Sequence, residues 1–188
     1  MLRNSTQGYG LISIFFHWIC ALTIIGLLAL GTYVVHFGYA SLNYLSYAHL
    51  HYALGMIILG VFILRILWRL INPTPAPLDT KMLTRLAIGS IKFLLYLLVF
   101  LVIISGYLIC TSEGQSIDIF GLFNIPSYVL LENEGVNAAG LIHRYASWLL
   151  AVIITVHILG ALMHHFILGD NTLKRMINPR YSKNTNNL

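Results

Sequence analysis

Four histidines in apolar surroundings carry the chemistry this sequence could do. Two of them, His143 and His157, lie in one apolar stretch running from Gly140 to Gly169. They are fourteen residues apart, close to four turns of helix, so both imidazoles leave the same face. The rise between them is about 21 Å, most of the ~30 Å hydrocarbon thickness of a bilayer. Two rings so far apart cannot share one metal ion. Each could meet a partner imidazole from another helix.

Composition decides what those helices are. Of 188 residues, 58% are hydrophobic and 9% charged, against about 25% charged in a soluble domain. Four apolar stretches stand out, near 11–36, 47–71, 83–110 and 140–168. Each is long enough to span a bilayer as a helix, the element that satisfies its own backbone where there is no water. The predicted fold is all-α, an integral membrane four-helix bundle over residues 10–170, with an arm at 1–9 and a tail at 171–188. The first stretch exceeds the ~7–15-residue core of a signal peptide and carries His17, so it is predicted to be a retained helix.

Ten of the eleven basic residues fall before the first span, around the link between spans 2 and 3, or after span 4. Arg144 is the exception. The other two links hold no Lys or Arg, and the longer one carries Glu113, Asp118, Glu132 and Glu134. The positive-inside rule then puts both termini in the cytoplasm. The net charge of +5 follows from this topology and is no argument for a nucleic-acid partner. Asn72–Pro77 ends span 2, because proline removes an amide donor and restricts the residue before it. The segment Asn178–Leu188 reads as disordered.

On this topology His17 and His157 share the cytoplasmic level, and His51 and His143 the outer one. Two histidines from different helices at each level are what bis-histidine haem ligation requires. The alternative for any single intramembrane histidine is a helix-to-helix hydrogen bond. A zinc site lacks support, since there is no H-E-x-x-H and no cysteine-rich spacing. Cys20 and Cys110 fall near opposite faces, too far apart for a disulfide. His49 lies two residues from His51 and faces elsewhere. Gly55, one turn after His51, leaves room for a flat macrocycle. Arg65 stands fourteen residues after His51, at the level of the cytoplasmic pair, where its fork could hold a haem propionate. Arg144 is the matching candidate outside. His36, His164 and His165 read as interfacial residues.

These residues resemble the bacterial cytochromes b561, four-helix membrane dihaem proteins, over nearly the whole chain. The features that carry the resemblance are FHW around His17, H-x3-G at His51–Gly55 and RILWRLINPTP from Arg65. H-x13-H at His143–His157, the HHF that follows and DNTLKRM from Asp170 complete it. The resemblance implies one haem b on His17 and His157 and a second on His51 and His143. It also implies electron transfer in a bacterial inner membrane to or from a quinone, ubiquinone or menaquinone, with a periplasmic donor or acceptor left unidentified. One departure is Lys92, four residues before Tyr96, where the family often has histidine. The family includes an enzyme that oxidises superoxide and reduces quinone, but the outer links of this chain lack the positive charge that would steer an anion. Two other readings are a membrane-anchor cytochrome subunit of a larger dehydrogenase or hydrogenase, and a metal or proton transporter. A reduced-minus-oxidised spectrum with haem quantified per polypeptide separates them: two b-type haems per chain are expected, and a colourless protein would refute the haem reading.

Overall fold

A computed structural model describes residues 1–37, 43–78 and 81–179. The apolar stretches form four long helices, α1 (Leu11–Phe37), α2 (Tyr44–Leu70), α3 (Met82–Cys110) and α4 (Asn133–Phe166). All four have the length and hydropathy to cross a membrane. A single-turn helix α5 (Thr172–Arg175) follows, and strands β1 (Ile117–Ile119) and β2 (Phe123–Ile125) lie between α3 and α4. Large apolar side chains such as Val35 and Leu83 stand more than four-fifths exposed, as lipid-facing surfaces require and water would penalise. Most of the segment expected to be disordered, from residue 180 onward, lies outside the described residues.

The chain divides into two compact units, and each long helix contributes a segment to both. One unit holds Met1–Ala21, Val61–Leu94 and Ile153–Leu188 and is called the terminal unit. The other holds Leu22–Gly60 and Leu95–Val152 and is called the loop unit.

Polar contacts tie the terminal unit together. Asn4 Nδ2 donates to the Pro73 carbonyl at 3.1 Å, and its Oδ1 accepts from Ser13 Oγ and from the Gly10 amide. The Trp68 indole donates to Ser13 Oγ at 2.9 Å, the Trp18 indole to the Met176 carbonyl at 2.8 Å, and Arg175 to the Ala76 carbonyl at 2.9 Å. Asn4 thereby ties the N-terminal arm to the start of α1 and to the segment after α2. Helix α4 ends at Phe166, and beyond it Gly169, whose φ of +67° suits a residue without a Cβ, turns the chain so that the Asp170 amide reaches back to the His164 carbonyl at 3.0 Å. His164 is buried, and its Nδ1–H donates to Asp170 Oδ2 at 2.6 Å. This contact locks the end of α4 to the tail.

The loop unit contains a hairpin that the all-helical reading did not foresee. Strands β1 and β2 pair antiparallel, Ile117 opposite Ile125 and Ile119 opposite Phe123. Phe120 and Gly121 both take positive φ, the turn geometry that matches strand twist. The pattern Ile-Asp-Ile alternates as a strand must. Ile117 and Ile119 pack on Ala53, and Asp118 turns outward. His49 contacts the Asp118 carbonyl oxygen at 3.0 Å and lies edge-on to Phe120, so helix α2 anchors the hairpin. The Tyr107 hydroxyl donates to the Pro126 carbonyl at 2.8 Å and accepts from the Tyr128 amide at 3.0 Å. Helix α4 begins seven residues earlier than hydropathy indicates, because Asn133–Ala139 is helix-compatible but too polar to register as a span.

The Asp170 lock is sensitive to pH. Burial alone would raise the Asp170 carboxyl, but hydrogen bonds from Thr172 and His164 outweigh it and hold the group below the usual carboxylate range. A depressed folded value stabilises the lock above the ordinary carboxylate pKa, about 3.9. That contribution is lost as pH falls through the folded value. We expect Asp170→Asn to expose residues 171–178 to protease at pH 7, whereas the native chain becomes susceptible there only below about pH 4. Equal cleavage of both proteins at pH 7 would show that the pair does not hold the tail.

Candidate functional site

Each unit brings two histidines from different helices together, with their rings steeply inclined to each other. In the loop unit His51 from α2 and His143 from α4 have ring centres 6.2 Å apart, with planes at 79°. In the terminal unit His17 from α1 and His157 from α4 have ring centres 6.4 Å apart, with planes at 68°. These are the pairs read from helical level in the sequence. Among the described residues no group of three or more His, Cys, Asp or Glu side chains could hold a metal ion. Both cysteines are free.

The spacing discriminates between chemistries. Two hydrogen-bonded imidazoles, with nitrogens about 2.9 Å apart, would have ring centres roughly 5.2 Å apart. A metal-to-imidazole bond is about 2.0–2.1 Å, and the ring centre lies about 1.1 Å behind the nitrogen. Two imidazoles on opposite sides of one ion would therefore have centres roughly 6.3 Å apart. Both pairs are too wide for a direct hydrogen bond and have the spacing that would hold a metal ion between them.

The space around the loop-unit pair fits a macrocycle. A cavity of about 810 Å³ is lined by both histidines, by Gly31, Gly55 and Gly106, and by Arg144, with apolar side chains making up most of the rest. That volume falls within the usual range for cofactor sites, about 300–1,000 Å³. Gly55 lines it as predicted, and a Cβ there would meet nothing within 4 Å. Two glycines not singled out from sequence lie closer to the ligand rings. A Cβ on Gly31 would come within 2.9 Å of His51 Cε1, and one on Gly106 within 2.9 Å of His143 Cε1. An isolated glycine inside an apolar helix was the available signal, since such a residue usually answers a packing demand. Which ring it accommodates is not written locally.

The nitrogens away from the facing partner show how each ring is prepared. His143 Nδ1–H donates to the Val102 carbonyl at 2.9 Å, with Ser105 Oγ at 3.3 Å. This tautomer leaves Nε2 with its lone pair available. His51 Nδ1 is buried without a hydrogen-bond partner. His17 Nδ1 lies 3.1 Å from Arg65 Nη2. A guanidinium only donates, so in this arrangement His17 carries its proton on Nε2. Offering Nε2 to a metal requires moving that proton to Nδ1, which displaces Arg65 from the ring. Lys92 from α3 is a second cation here, and its charge and that of Arg65 both act on His157. Arg144 is exposed at the lining of the loop-unit cavity.

The remaining histidines separate from these pairs. His49 is committed to Asp118 and His164 to Asp170, while His36 lines the loop-unit cavity in the last turn of α1.

Known proteins align with most of the chain. The chain is 39% identical over 175 residues to Cytochrome b561 homolog 2 of Escherichia coli strain K12, covering 93% of each. It is 31% identical over 175 residues to the Probable superoxide oxidase CybB of Yersinia pestis, covering 91% of this chain and 96% of that one. Residues 8–179 match the family described as prokaryotic cytochrome b561. Such membership implies haem b, membrane residence and electron transfer, which the paired imidazoles and four apolar helices fit. This chain belongs to the prokaryotic cytochrome b561 family.

Proposed function

We propose that this protein holds two b-type haems and passes electrons within or across a bacterial inner membrane, to or from the quinone pool. The single observation that carries the reading is the separation of the ring pairs, 6.2 and 6.4 Å. His51 and His143 would hold one haem, and His17 and His157 the other. Haem b ligated by two histidines supplies one-electron transfer with no open position for substrate. The task of the chain is then to bind, orient and insulate. Val102 sets the tautomer of His143, and Gly31 and Gly106 let the rings lie against α1 and α3. Gly55 keeps the cavity open. Arg65 and Arg144 are assigned to propionate carboxylates, since an Arg fork pairs well with a carboxylate where water is scarce. Quinone is the lipid-phase partner that the family reading supports. The bias of ten basic residues against one supports cytoplasmic termini, which puts the His51–His143 haem on the periplasmic side.

Because the ligands of the two pairs sit about 21 Å apart along α4, they are expected to fail separately. His143→Ala should abolish the spectrum of the loop-unit haem and leave most of the other, and His157→Ala the reverse. Identical spectral losses in two folded variants would break the assigned pairs.

The donor on the periplasmic side can be narrowed by charge. A superoxide oxidase is among the relatives, but here the link between α3 and α4 exposes Glu113, Glu132 and Glu134, and Asp118 is half exposed. Arg144 is the one basic residue in the α3–α4 link and the first turns of α4. An anion approaching this side meets an unfavourable field, and steering of the opposite sign can change association rates by about 10–10³-fold. We therefore assign the donor role to a protein or an uncharged small molecule. Haem reduction by pulse-generated superoxide should be slow. Near-diffusion-limited reduction that slows as salt is added would overturn this assignment.

A further inference from the structure

Helix α3 carries no histidine, yet it makes the closest polar contact to the loop-unit pair. The Val102 carbonyl lies 2.9 Å from His143 Nδ1. Ser105 Oγ lies 3.3 Å from the same nitrogen, 3.0 Å from the Val102 carbonyl and 2.6 Å from the Leu101 carbonyl. Gly106 lies against the ring, where a Cβ would come within 2.9 Å of Cε1 and 3.1 Å of Nδ1. Ser105 is buried, so no water competes for these groups. Three consecutive features of one helix thus control a single N–H. The partner ligand His51 has no such contact, its Nδ1 being buried and unsatisfied.

We propose that α3 sets the redox potential of the His51–His143 haem through the hydrogen bond from His143 Nδ1–H to the Val102 carbonyl, with Ser105 Oγ as a second, longer acceptor and Gly106 making the contact possible. The inference rests on the reading of His143 as a haem ligand. A metal-bound imidazole that donates its other N–H becomes a more basic ligand, and a more basic ligand stabilises ferric over ferrous iron, lowering the potential. Ser105 acts in the same sense. Its one hydroxyl proton serves the backbone carbonyls, Leu101 at 2.6 Å being the nearest, so toward His143 Nδ1–H its oxygen accepts, at 3.3 Å. Gly106 acts sterically, since any Cβ there pushes the ring off the carbonyl.

The terminal unit presents the reverse polarity. There the group 3.1 Å from His17 Nδ1 is the Arg65 guanidinium, which cannot accept a ring N–H as the Val102 carbonyl does. Val102, Ser105 and Gly106 are positioning residues; none touches the iron.

The test is a spectroscopic redox titration of the purified holoprotein, with both haems quantified and activity not measured. Ser105→Ala should raise the midpoint potential of the His51–His143 haem, and Gly106→Ala should raise it further, while the other haem stays fixed in both. Shifts confined to one haem distinguish tuning of one bond from general loosening, which would move both haems. Gly89→Ala, on the same helix with nothing within 4 Å of the added carbon, should shift neither haem. Should Gly106→Ala lose its haem, Ser105→Ala decides alone: a potential unchanged or lowered in that variant overturns the proposal. His143→Ala run in parallel keeps the outcomes separate. If it retains both haem spectra, the ligand reading itself fails; if it loses one and Ser105→Ala shifts nothing, only the role of α3 fails.

Discussion

An imidazole inside hydrocarbon must find a partner, because no water is present to take its N–H or its lone pair. In this protein that constraint is met twice by a second imidazole at a distance too long for a hydrogen bond and suited to an ion between the two. Helix packing must hold the rings apart as well as bring them near. In the loop unit the holding is visible: His51 lies against Gly31 of α1, and His143 against Gly106 of α3. Helices outside the pair therefore determine where its rings stand. The cavity beside them is left open at Gly55, where an added Cβ would meet nothing within 4 Å.

The two pairs are alike in spacing and unlike in surroundings. One ring donates to a backbone carbonyl, and a ring of the other pair faces a guanidinium. The two environments would act differently on a metal held between the rings, so equal ligand sets need not give equal potentials.

The polar residues outside the pairs close the ends of the helices. His49 ties α2 to the hairpin through Asp118, and His164 ties the end of α4 to the tail through Asp170. The indoles of Trp18 and Trp68 and the side chain of Asn4 fasten the arm, the link after α2 and the tail to one another. These contacts lie where backbone groups leave the helices and would otherwise need water. They shelter the regions carrying the paired rings without contributing to them.

By itself the sequence determined the number of spans, the helical class and the four facing histidines. Hydropathy is a local sum, and a fourteen-residue interval on a helix sets both direction and level. The same rule placed Arg65 beside the His17–His157 pair and Gly55 at the wall of the cavity. It did not reveal the hairpin, whose strands are three residues long, or the early start of α4, whose first turns are too polar to look like a span. Nor could it show that Gly31 and Gly106 accommodate the ligand rings, that Val102 selects a tautomer, or that His164 pairs with Asp170. Each of those depends on which residues of separate segments meet and at what rotation. Packing alone decides that, because a helix face is periodic in sequence while its partner is not.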